Sequence, residues 1–168
     1  WKVAVFKSDV KNFMRLKEDK NCVPKQMNED TKNHGLEVSV DVRHNENWHS
    51  NWGFVVQDPK FYDARYPKKG WQRDYGRLQL NGGVTYRDDD WQVSLQAAYT
   101  GERVLSSYQE EVRPLLITSL HVAYTPTEEW EVYFDADNLL NREDITSHVS
   151  SRYNAQPFNY LLGVKYRF

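Results

Sequence analysis

Phe158-Asn-Tyr-Leu-Leu-Gly-Val-Lys-Tyr-Arg-Phe168 is the stretch whose reading decides the fold. Taken two residues at a time, it puts Phe158, Tyr160, Leu162, Val164, Tyr166 and Phe168 on one face and Asn159, Leu161, Gly163, Lys165 and Arg167 on the other. That is a strand with a single apolar face. About ten residues is what a tilted strand needs to cross the hydrocarbon of a bilayer, and aromatic ends suit the two interfaces.

Working outward, the same alternation recurs upstream. Leu36, Val38, Val40 and Val42 oppose Glu37, Ser39, Asp41 and Arg43. Trp48, Trp52, Phe54 and Val56 oppose His49, Asn51, Gly53 and Gln57. Leu78, Leu80, Val84 and Tyr86 follow, then Trp91, Val93, Leu95, Ala97 and Tyr99, then Leu116, Leu120, Val122 and Tyr124, then Trp130, Val132, Phe134 and Ala136. Residues 1–10 make a further strand whose pattern blurs at Phe6. The chain is therefore all-β, with about eight antiparallel strands. Long connections at residues 14–33, 58–73, 101–113 and 140–157 alternate with short polar turns at 45–47, 88–90 and 125–129. The first of these, rich in Lys, Glu, Asp and Asn, is expected to be an exposed loop. Short turns on one rim and long loops on the other are the layout of a transmembrane barrel with periplasmic turns and extracellular loops.

Bulk properties agree with this reading. The mean hydropathy is -0.83 and 27% of residues are charged, and no run of eighteen apolar residues offers a transmembrane helix. A barrel escapes that test because only every second residue meets lipid. A net charge of -2 gives no reason to expect nucleic acid as a partner. Cys22 stands alone, with no metal-ligand spacing, and is available only for a bridge to a cysteine outside this chain. No basic and then apolar leader precedes Trp1, so a processed precursor or a piece of a longer protein is expected.

No catalytic constellation emerges, and no enzyme activity or cofactor is expected. Glu131, Asp135 and Asp137 share a face through period two alone, and suit a wet lumen. Asp88-Asp-Asp90 lacks the glycine and distal glutamate of a calcium loop and reads as a charged turn. Asn81-Gly82-Gly83-Val84 sits within a strand and allows a bend or close packing. His34, His44, His49, His121 and His148 lack zinc spacing. His34 and His148 fall at the long connections, where they either ligate haem iron or are solvated. Tyr62, Arg65, Tyr66 and Trp71 either clamp an anionic aromatic ligand or pack against one another.

Two anchors carry a family resemblance. Gly163, Tyr166 and the terminal Phe168 resemble the insertion signal that closes outer-membrane β-barrels, although Leu161 stands where that signal is usually polar. A strand running into Asn138-Leu139-Leu140-Asn141, a loop of about fifteen residues and this terminal strand together resemble the C-terminal end of TonB-dependent outer-membrane receptors. The aromatic usual after that motif is replaced by Ile145, and Gln156-Pro157-Phe158 replaces a usual Gly-Arg pair. Gly35-Leu36-Glu37 is similar to the family's recurrent Gly-x-Glu strand. The resemblance implies that residues 1–168 are the C-terminal segment of a barrel of about twenty-two strands. The plug and the TonB-binding segment are not in this chain. It implies uptake of a siderophore, haem or cobalamin, with the lipid bilayer, the rest of the receptor, TonB and, through the last strand, the barrel assembly machinery as partners. A self-contained eight-stranded barrel acting as adhesin or anchor, and a soluble β-sandwich, are the alternatives.

Overall fold

The computed structural model describes residues 1–18, 24–105, 109–146 and 153–168. Eight long strands follow one another as an antiparallel meander: β1 (Lys2–Glu18), β2 (Pro24–Arg43), β3 (Trp48–Gln57), β6 (Leu78–Arg87), β7 (Trp91–Gly101), β10 (Leu115–Tyr124), β11 (Trp130–Asp137) and β12 (Asn159–Tyr166). Two short strands, β4 (Lys60–Tyr62) and β5 (Gln72–Arg73), extend the same sheet beside the upper half of β2. A small separate hairpin, β8 (Arg103–Leu105) with β9 (Glu110–Val112), stands in the third long connection. All eight expected strands are present, and the three turns fall where the sequence puts them.

Residues 14–33 correct the sequence reading. Their described part, 14–18 and 24–33, is a ribbon, not a loop: β1 and β2 stay paired from Phe13 opposite Glu29 to Glu18 opposite Pro24, above a register shift between Val10 and Phe13. Strand pairing is made by the backbone, so a ribbon with polar side chains on both faces carries no hydropathy signal. β4, β5, β8 and β9 are hidden for another reason: at two or three residues each they are too short to show a period of two.

The sheet is open. Among the described residues β1 pairs only with β2, and β12 only with β11. It is a single layer, without the facing sheet a sandwich needs. The distribution of apolar side chains is inverted relative to a water-soluble domain. Trp52, Leu95, Leu162 and Val164 are all more than half exposed, whereas the buried Phe61, Val104 and Leu105 belong to the connections. A sheet with this inversion keeps its apolar face for lipid and packs its small cores in the loops.

Candidate functional site: loop crown and polar wall

Register turns the alternation into surfaces. Asp41, Asn51, Gly83, Gln96, Ser119, Asp137 and Asn159 lie abreast, each the register partner of the next, across seven strands from β2 to β12. Two residues nearer the turn rim, Arg43, His49, Thr85, Ser94, His121, Asp135 and Leu161 form a second row. Of these residues only Gly83 and Leu161 lack a polar side chain. The Thr85 and Ser94 hydroxyls are 3.0 Å apart, and His121 Nδ1 is 2.6 Å from an Asp135 carboxylate oxygen. A recess of about 460 Å³ opens between Gln96, Ser119, His121, Asp135, Asp137 and Asn159. The turn-rim half of this face is thus a hydrogen-bonding wall.

On the opposite face, aromatic pairs mark the turn rim. Trp48 packs on Tyr86 at 5.1 Å between ring centroids, Trp91 on Tyr124 at 4.5 Å and Trp130 on Tyr166 at 4.7 Å. Each pair joins two strands whose chain connection is a long loop at the other rim. A related device begins each ascending strand. Asn45 Oδ1 accepts from the Asn47 and Trp48 amides, and Asp88 Oδ1 from those of Asp90 and Trp91. In the third turn the Trp130 amide bonds the Thr127 carbonyl at 3.3 Å. These repeats escaped the sequence reading, yet Asn/Asp/Thr-x-x-Trp occurs at all three turns and was visible there.

The long connections are tied into one crown. Gln109 of the third connection binds both backbone groups of Arg73 in the second, accepting its amide at 2.9 Å and donating to its carbonyl at 2.7 Å. Arg103 reaches into the fourth connection, donating to the Ile145 carbonyl and, at 3.1 Å, to the Arg113 carbonyl. Burial draws the Arg103 guanidinium below its ordinary pKa, against the opposing pull of Asp144. Asp144 is 1% exposed, with Arg142 at 2.8 Å and Arg113 at 3.7 Å. These contacts are ionic and not directed, since neither carboxylate oxygen is aligned for a hydrogen bond.

The structure divides the expected ligand contacts. In β2 the even residues Leu36, Val38 and Val40 are on the apolar face, so Lys32 and His34 are on it too. Tyr62 is the register partner of Asp30, and Trp71 packs 5.8 Å from Tyr62 with Lys32 Nζ 4.0 Å over its ring. Tyr62, Trp71 and His34 therefore belong to the apolar side. Arg65 turns away from that group, bonded to Asp63 and near Tyr66 at 5.3 Å, with Glu29 of the polar face in its field. The Asp63 bond holds the Arg65 pKa above its ordinary value. His148 and Cys22 lie outside the described residues.

Residues 1–139 match the family model for the TonB-dependent receptor-like β-barrel. The chain belongs to that family. Its strands are those of an outer-membrane barrel. No curated protein sequence matches it. The ferric-catecholate import receptor Fiu from E. coli K12 superposes with a TM-score of 0.69 at 15% identity, over 99% of this chain and 25% of the receptor. The copper transporter OprC gives 0.72 at 16% identity, over 99% and 29%. The pyoverdine receptor FpvA from Pseudomonas aeruginosa PAO1 gives 0.70 at 12%, over 99% and 27%. The chain spans a quarter to three-tenths of the length of these solved proteins.

In this TonB-dependent receptor barrel the C-terminal motif has a physical role. Asn138 and Asn141 adopt left-handed conformations, with φ of 51° and 47°. The buried Asn138 amide donates to the Arg142 and Gln156 carbonyls, both at 2.8 Å, and its oxygen accepts the Arg142 amide at 2.9 Å. Asn141 Oδ1 accepts the Phe158 amide at 2.9 Å. The two asparagines fasten the base of the fourth connection, Leu139 bonding the Thr118 carbonyl between them and Leu140 exposed. In β12, Gly163 lies under the Tyr133 ring, where a Cβ would collide, and Tyr166 contacts Phe168 edge-on at 5.1 Å.

Proposed function

We propose that this chain is the C-terminal wall of a TonB-dependent outer-membrane receptor that takes up a scarce, bulky nutrient such as a ferric siderophore, haem or cobalamin. The polar rows abreast across seven strands carry the reading: two adjacent rows in which Leu161 is the only large apolar side chain suit a wet lumen occupied by a polar plug. The long connections are extracellular and capture the ligand, and the short turns are periplasmic. TonB supplies energy through a plug outside this chain. Uptake, not catalysis, is the output.

Arg65 and Tyr66, at the tip of the second connection, are the ligand contacts this geometry favours, with His148 and the other loop residues as further candidates. Both edges need partners, since backbone groups left open in lipid cost several kcal/mol each. The remaining strands of the receptor supply them, and the Gly163-Tyr166-Phe168 strand is the handle for the barrel assembly machinery.

The test is growth of a receptor-deleted strain on single sources of ferric siderophore, haem or cobalamin, complemented with the complete receptor. Expected is restoration by one source, lost when TonB is deleted and weakened when Arg65 and Tyr66 are replaced by alanine. Restoration that survives loss of TonB, or none from any source, rejects the transport reading in favour of an adhesin or anchor.

A further inference from the structure

Three recesses of about 210, 130 and 460 Å³ open on the polar face and share their lining in sequence. Asn51 and Asn81 belong to the first and second, Gln96 and Ser119 to the second and third. Together they make one groove across seven strands, from Glu37 near the crown end of β2 to Asp135 and Leu161 near the turn rim.

Two glycines keep the groove open. The Asn81 amide lies over Gly53, where a Cβ would come within 2.3 Å of its Oδ1, and the Asn51 amide lies over Gly83, where the distance would be 2.9 Å. Both amides are thereby laid along the sheet and do not project into the lumen. The side chains of Asn51, Asn81, Gln96 and Ser119 make no hydrogen bond among the described residues, so their donors and acceptors are available to a passing molecule.

The fixed charge of the lining has one sign. Glu37, Asp41, Asp135 and Asp137 are in it, and among the described residues that line it there is no lysine or arginine. Lys2, Arg43 and Arg87 stand on this face outside the groove, and Lys165 and Arg167 are engaged by Glu131. His121 lies 2.6 Å from Asp135 and His49 3.8 Å from Asp41, whereas Glu37 and Asp137 have no ion-pair partner among the described residues. An anion moving along the groove is repelled at both ends, and the low-dielectric wall behind the carboxylates strengthens that repulsion. A neutral or cationic molecule is not.

We propose that this groove is the route of cargo past the wall and that it sets the cargo's class. That class is an uncharged or cationic chelate rich in amide, hydroxamate or hydroxyl groups, which the free amides bond one after another. Catecholate chelates, which are anionic, and haem, with its propionates, are excluded by the same lining. Arg65 at the crown agrees, since Asp63 neutralises it. The assignment rests on the transport reading above and narrows it.

Uptake by the receptor-deleted strain carrying the complete receptor tests it. The cargoes are cyanocobalamin and ferrichrome, which are uncharged, ferrioxamine B, which is cationic, and haem and ferric enterobactin, which are anionic. Expected is TonB-dependent uptake of an uncharged or cationic cargo and of neither anion. Uptake of either anion overturns the charge selection and leaves the transport reading standing, whereas TonB-dependent uptake of none rejects the transport reading and the route with it. Replacing Asn81 and Gln96 together (N81A, Q96A) should lower the maximal uptake rate about tenfold, as the loss of two ordinary hydrogen bonds would, while binding of the same cargo at the cell surface stays unchanged. Heat-modifiability of the variant confirms a folded barrel. An unchanged rate overturns the route, and so does a loss accompanied by entry of vancomycin into the cells, which would assign the groove to packing of the plug.

Discussion

Asn138 and Asn141 illustrate at the residue scale why a short motif holds a long loop. Both occupy backbone conformations that asparagine tolerates better than most residues. Their side chains do different work. Asn138→Asp keeps shape and φ but turns a double donor into an acceptor facing two carbonyls, which should cost about 2–3 kcal/mol locally. Asn141→Asp keeps the acceptor that Phe158 needs and should be nearly silent. Protease cleavage between residues 138 and 158 measures both, and comparable sensitivity in the two variants would reject the division of roles. Gly163 gives a second residue-scale prediction. A side chain there meets the Tyr133 ring, which also carries Lys165 Nζ at 4.6 Å. Gly163→Ala should lower the heat-modifiability midpoint, and Tyr133→Ala should relieve part of that loss. Strict additivity of the two would show that the ring and the glycine are not coupled.

At the scale of elements, face and rim decide what a substitution does. Leu95 is on the apolar face and 52% exposed, whereas its neighbour Gln96 belongs to the polar wall. Leu95→Arg should cost roughly 2–4 kcal/mol near the bilayer midplane, and Gln96→Arg little. Equal effects on folding into lipid vesicles would reverse the assignment of faces. The second connection gives a pH prediction. Burial raises the Asp58 pKa, but the Lys60 contact at 2.6 Å, with Arg77 and His34 nearby, outweighs it and holds the carboxyl below its ordinary 3.8. A depressed carboxylate contributes stability that is complete above 3.8 and is lost as the pH falls through the lower folded value. The mobility of a spin label at Ala64 should therefore stay flat from neutrality to about pH 4 and rise below it. Asp58→Asn should abolish that rise.

For the molecule as a whole, the open sheet governs assembly. β1 and β12 occupy opposite ends of the eight-strand meander, so Val3 and Val164 are at separate edges. If, as proposed, each edge strand pairs with a strand from outside residues 1–168, cysteines placed at both positions in the complete receptor should remain unlinked. Efficient intramolecular disulfide formation in a heat-modifiable product would instead establish the self-closed small barrel.

The sequence by itself determined the strands, their faces and the alternation of short and long connections. Period-two hydropathy and turn chemistry are local, and lipid on one face imposes them strand by strand. It also held the asparagine motif, although not the reason for it. Tertiary structure decided what depends on residues far apart in the chain. Register aligned the polar rows and matched each Trp to its Tyr, since inter-strand bonds are made by backbone groups that look alike in every residue. The polar ribbon over residues 14–18 and 24–33 left no mark in hydropathy for the same reason. The ties among Arg73, Gln109, Arg103 and Asp144 join separate connections, and no spacing rule links them. Only the fold could separate Trp71 from Arg65: both sit in one polar segment, but Trp71 packs on Tyr62 under Lys32, whereas Arg65 is bonded to Asp63.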